Sequence, residues 1–122
     1  MAITTTTLAD PIGNKVLIDT QANASTVEQA LTAGATIYQI QINNRLNTSD
    51  IAVLKIADVA SNGSTSSTIA HRFTCPAGDK VSFVFNTGIP LSNGLAFWCT
   101  TGRTATDTTD PTDDVEVRFL TS

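Results

Sequence analysis

Apolar residues recur at every second position through the last third of the chain, HRFTCPAGDKVSFVFNTGIPLSNGLAFWCTTG, and the pattern stops at Pro, Gly and Asn. A period of two means pleated strands with one buried face. Ile69, His71, Phe73 and Cys75 alternate, Pro76-Ala77-Gly78-Asp79 reverses the chain, and Val81, Phe83 and Phe85 alternate back. Proline fits the backbone angle of a turn and glycine its tolerant position, so these letters predict a hairpin. Pro90 limits any strand there to a sheet edge. Residues 95–100 and 115–120 supply two more strands.

Upstream, residues 16–19 predict a short strand. Residues 25–33 read two ways. Ser25 and Glu28 have capping-box spacing, with Val27 and Leu31 four apart and Gly34 as a stop. The same letters also make a strand with Val27, Gln29 and Leu31 on one side. A two-turn helix is short for its own stability, and the strand is the reading adopted. Residues 36–43 place Tyr38, Ile40 and Ile42 on one face and Gln39 and Gln41 on the other. Residues 51–57 are apolar on both sides, which marks a central strand. SNGSTSST, residues 61–68, is an exposed loop. Residues 1–14, Thr-rich and interrupted by Asp10-Pro11, are expected to be an arm outside the core, leaving 15–122 as one domain. Seven or eight short strands without convincing helices describe an all-β, two-layer antiparallel β-sandwich. Its expected core is Ile40, Ile42, Phe73, Val81, Phe83, Phe85, Phe97, Val117 and Phe119.

At 122 residues the chain can bury roughly two-thirds of its unfolded surface without disulfide or metal support. Its net charge of −4 and its seven scattered Lys and Arg argue against nucleic acid, whose partners carry a basic patch. Those cations (Lys15, Arg45, Lys55, Arg72, Lys80, Arg103 and Arg118) read as solvated positions. No stretch has the basic and apolar regions of a signal peptide or the length of a membrane span, so the expectation is synthesis in the cytoplasm and no membrane partner. In that compartment Cys75 and Cys99, in phase with Phe73 and Phe97, are expected to be buried free thiols. The N-x-S/T triplets at Asn23, Asn47 and Asn62 then carry no meaning.

Candidate chemistry is sparse. His71 is the single histidine, so no triad or metal set contains two. Asp107, Asp110, Asp113, Asp114 and Glu116 crowd into ten residues, and loop carboxylates can chelate a hard cation. They lack the Asp-x-Asp-x-Asp-Gly order that makes that signal specific, and a solvated acidic loop is the simpler reading. Arg103 and Arg118 are the local cations able to offset this charge if subunits meet there. Trp98 points opposite Phe97 and Cys99. It lies in a second layer of core or under a partner, and with Tyr38 it is also a candidate sugar-stacking platform. In the arm, Ile3, Leu8 and four consecutive threonines suit addition along an exposed strand edge of another subunit. The candidate partner-binding residues are therefore Ile3, Leu8, Trp98 and Arg103. No catalytic, cofactor or metal residues are assigned.

From about Gly34 onward the chain resembles a family of small virion proteins of tailed bacteriophages, the decoration or cement proteins. The matching elements are GATIYQIQINNRLNTSDIAVLKIAD, FTCPAGDKVSFVF and GIPLSNGLAFWCTTGRTATDTTDPTDDVEVRFL, and their order carries the likeness. The acidic loop before the last strand and the Arg-Leu-Asn loop depart from the family pattern. The resemblance implies a jelly-roll-like sandwich without enzymatic residues. It further implies a capsid cement protein on the virion surface, binding the major capsid protein and bridging its subunits, as a homo-oligomer, a trimer. The alternatives are a tail, collar or baseplate subunit, and a carbohydrate-binding attachment module.

Overall fold

The computed structural model describes residues 3–7 and 15–122. Nine strands and no helix occur among them: β1 (Ile3–Thr7), β2 (Lys15–Ala22), β3 (Glu28–Leu31), β4 (Ala35–Asn43), β5 (Ala52–Ala57), β6 (His71–Cys75), β7 (Lys80–Leu91), β8 (Leu95–Thr100) and β9 (Val115–Thr121). They form a five-stranded sheet, order β1-β2-β9-β4-β7, and a four-stranded sheet, order β3-β8-β5-β6. Every neighbouring pair is antiparallel. The two sheets pack as a β-sandwich. From β2 onward each connection changes sheet, except the one joining β5 to β6.

The core fills the space between the sheets, as the alternation requires. Leu17, Ile37, Ile40, Ile42, Val117 and Phe119 of the larger sheet meet Leu54, Ile56, Leu95 and Phe97 of the smaller one, all buried. Phe97 and Phe119 touch at 4.9 Å between centroids with tilted rings. A tilted pair adds about 0.5–1.5 kcal/mol to the burial of its surface. Five of the nine expected core residues (Ile40, Ile42, Phe97, Val117 and Phe119) are buried. The other four, Phe73, Val81, Phe83 and Phe85, pack against the core but are only half-buried.

The reason is a correction to the predicted hairpin. Gly78, at φ +68°, and its neighbours do turn the chain, but β6 and β7 belong to different sheets. β6 pairs with β5 and β7 with β4. Each is the last strand of its sheet, so Phe73 meets Phe83 at 5.0 Å and Phe85 at 5.7 Å across an open seam of the sandwich. Turn residues encode the reversal. They do not encode whether the flanking strands share hydrogen bonds.

A second slip lies in β4. Its register shifts between Ile37 and Gln39 against both neighbours: Tyr38 is an inserted residue against β9, while on the β7 side the four residues Phe85 to Gly88 stand opposite it. Ile37 rather than Tyr38 therefore joins Ile40 and Ile42 in the core. Opposite the bulge, Gly88 takes φ +77°, and a Cβ there would come within 2.2 Å of Thr36 Cγ2. Only glycine meets both demands.

The segment with two readings is strand β3, without a helix. The expected arm is also revised. Residues 3–7 form β1, the edge strand beside β2, with Ile3 half-buried against the core and Thr4 to Thr7 exposed. Leu8 and the rest of 8–14 lie outside the described residues.

One end of the sandwich is closed by amides. Asn44 and Asn47 are buried, and the Asn47 amide donates to Asn44 Oδ1 (2.9 Å) and to the Asp113 carbonyl (3.0 Å). The Asn44 amide donates to the carbonyls of Asp50 and Pro76, and Asn47 Oδ1 accepts from the Asp113 N–H at 2.7 Å. The Asn-rich loop thus ties three turns together. At the β7–β8 turn, Asp58 accepts the N–H groups of Ser92, Asn93 and Gly94. Loss of hydration opposes its ionisation, but these three donors outweigh that and hold its pKa below the ordinary value.

Candidate functional site

The outer face of the smaller sheet is where the chain concentrates unusual side chains. Lys55 of β5 sits opposite Trp98 of β8 on one side and Arg72 of β6 on the other. Lys55, expected to be solvated, is fully buried. Its ammonium donates to the carbonyls of Thr104 (2.7 Å) and Asp107 (2.8 Å), so it fastens the β8–β9 loop onto the sheet. Burial pulls its pKa below the ordinary lysine value, the Asp107 charge partly restores it, and Arg72 lowers it again.

Trp98 lies on the same face of the sheet. It packs with Ala24, Ala57 and Ala96, flanked by Val27, Val59 and Ile69. It is 0% exposed, which takes it out of reach of a partner or a stacked sugar. Its indole Nε1 is buried without a hydrogen-bond partner among the described residues. Tyr38 stands on the other sheet, half-buried at the bulge, so the two aromatics form no platform.

The acidic residues of the covering loop act mostly on backbone. Asp110 accepts from Ala24 N at 2.6 Å and from the Ser25 hydroxyl, and the Ser25 bond is the main cause of its lowered pKa. Asp107 Oδ1 accepts from Thr109 N. Glu116 pairs with the exposed Arg118 at 2.9 Å. Among the described residues no three His, Cys, Asp or Glu side chains converge as a cation site.

Beside this cover runs a groove of about 980 Å³, between residues 65–72 and Ala105, Thr106 and Thr108. His71 and Arg72 line it, and Arg72 Nη1 donates to the Arg103 carbonyl. The side chain of Arg103 is exposed on the covering loop. Of the expected partner residues, then, Arg103 is at the surface of this face, Trp98 is buried beneath it, and Ile3 belongs to the far edge of the other sheet.

Sequence reasoning missed Lys55, Arg72 and Asp19. A lysine within the apolar run AVLKIA was a legible sign of burial. Asp19 is in phase with the buried Leu17 on β2, and it is 1% exposed. Its Oδ1 accepts from Gln21 N, while Oδ2 has no partner among the described residues. Burial raises its pKa to about 6, the Gln21 bond opposes that, and the charges of Glu28 and Asp114 add to it. Cys75 and Cys99 are free and buried, and burial pushes both thiols above their ordinary pKa. They are poor nucleophiles there. No protein-family model, curated protein or solved structure matches this chain.

Proposed function

We propose that this protein is a structural component of a virion, a cement protein that binds the outside of an assembled capsid and bridges its major subunits. The supporting observation is the strand order. From β2 to β9 the chain builds β2-β9-β4-β7 over β3-β8-β5-β6, an order we read as a jelly roll, with β1 added at one edge. Viral capsid domains are among the main users of that architecture. The step from fold to role is by analogy of fold, reinforced by the sequence likeness to phage decoration proteins. A rigid sandwich fastened over subunit junctions adds contacts that must break before the shell opens. The stabilisation grows with the ratio of free protein to its dissociation constant.

Adding the purified protein to virions assembled without it tests the role. Binding in hundreds of copies per head, with an upward shift in the temperature at which heads release DNA, is the expected result. No binding would refute the role. Saturation at a few copies confined to the tail would replace it with that of a tail subunit.

A further inference from the structure

We propose that the groove between residues 65–72 and the β8–β9 loop is a binding site for an acidic glycan, a carbohydrate chain bearing carboxylate groups. The inference is independent of the shell role and rests on what lines the groove. Its volume, about 980 Å³, falls at the upper end of the range of small-ligand sites. No Asp or Glu lines it, although the chain has eleven such residues against seven Lys and Arg. Six of its eleven lining residues carry hydroxyls: Thr65, Ser66, Ser67, Thr68, Thr106 and Thr108.

Hydroxyls both donate and accept, which suits a ligand dense in hydroxyls itself. Two of them are held in place. Ser67 Oγ accepts from Ser64 N at 3.0 Å, which leaves its own proton free to donate, and Ser66 Oγ bonds Ser64 Oγ at 2.9 Å. Arg72 supplies the charge. Its guanidinium carries five N–H donors in a fixed fork, and one is spent on the Arg103 carbonyl, which orients the rest. Ile69, Ala70 and Ala105 are the apolar residues of the lining, and the threonine methyls add further apolar surface between the hydroxyls. No Trp, Tyr or Phe lines the groove, so a neutral sugar would lack its usual stacking partner. A carboxylated sugar has a fork to bind and hydroxyls to share. The net charge of −4 opposes such a ligand only at long range, and at physiological salt that field is screened within about 8 Å.

The test uses the full chain, titrated with oligogalacturonate and with sialyl-oligosaccharides and followed by amide chemical shifts. Malto-oligosaccharide serves as a neutral control and polyglutamate as a charged one. At least one acidic glycan should shift residues 65–72 and 105–108 saturably, with neither control doing so. Arg72→Gln, on an exposed side chain, should weaken that binding about ten- to hundredfold while leaving the remaining shifts of the free protein in place. Absence of binding by every acidic glycan would overturn the proposal. So would equal binding of polyglutamate, or affinity unchanged by Arg72→Gln. Thr106→Val is a second probe that leaves the charge intact, and an affinity unchanged by it would overturn the role given to the hydroxyls.

Discussion

The two sheets present alike inner faces and opposite outer ones. On the larger sheet Val16, Ile18 and Leu120 are half-buried among Gln39, Gln41 and the Arg118–Glu116 pair, and Val84 is 69% exposed. This is the usual antiparallel sheet with one wet side. On the smaller sheet β5 and β8 are buried at every position, because loops 23–27, 58–70 and 101–114 lie over them. That half of the molecule is locally three layers deep. The third layer consists of irregular backbone, which needs partners wherever it is buried. Lys55, Asp110 and Gln29 provide them. Gln29 donates to the Val59 and Leu31 carbonyls and accepts from Gly63 N. The contrast teaches that a covered face need not be apolar throughout. One buried cation can hold a loop that no hydrophobic contact would fix.

The sharpest break of that contrast is Trp98→Ala. Emptying the site beneath the cover should cost about 3–5 kcal/mol in denaturant unfolding. A loss below about 1 kcal/mol would mean that the loops do not truly seal the face.

Lys55, whose charge has partners, contrasts with Asp19, whose Oδ2 has none among the described residues. Asp19 titrates near 6 when folded and near its ordinary 3.8 when unfolded. Between these values the folded state holds the proton and the unfolded state has lost it. Stability therefore falls as pH rises from about 4 to 6 and levels off above, by about 3 kcal/mol at most. Comparing Asp19→Asn with the parent across that window isolates the effect. The variant should lose this part of the pH dependence, and identical profiles would dismiss it.

Lys55→Met keeps the stem and removes the ammonium, leaving the Asp107 carbonyl without this donor and the Thr104 carbonyl with only the Asp107 N–H. A cost of about 1–3 kcal/mol is expected. Faster hydrogen exchange should follow at Thr101 and Asp107, whose amides bond within the loop. Unchanged exchange there would show that the loop holds without its clamp.

The smallest effect belongs to the open face. Val84→Ala should change stability by less than about 0.5 kcal/mol in the isolated protein. A larger loss would mean that Val84 is covered in solution by a second copy.

Much of the fold was legible because alternation is a local signal. The central place of β5, the strand identity of β9 and the burial of Phe97 and of Phe119 all follow from period and composition. What escaped depends on distant partners. The Pro76–Asp79 turn reads the same whether it joins paired strands or strands of different sheets, and here it does the second. The bulge at Tyr38 shifts one residue, and with it every side chain before it changes face, yet no letter announces the insertion. The site was less legible still. Trp98 was placed correctly opposite Phe97, but what covers it comes from two loops distant in sequence, around Ala24 and around Val59 and Ile69. Arg72 acquires meaning only once residues 103–108 are folded across its strand.

The single tryptophan gives the molecule an internal optical gauge. An indole shut away from water should emit at short wavelength, and its spectrum should move to the red as soon as water reaches it. Water gets there when the covering loops lift, which need not require the sandwich to part. Fluorescence and circular dichroism should then report different events on heating, the first the loss of the cover and the second the loss of the sheets. The interval between the two transitions would measure how independently the third layer behaves.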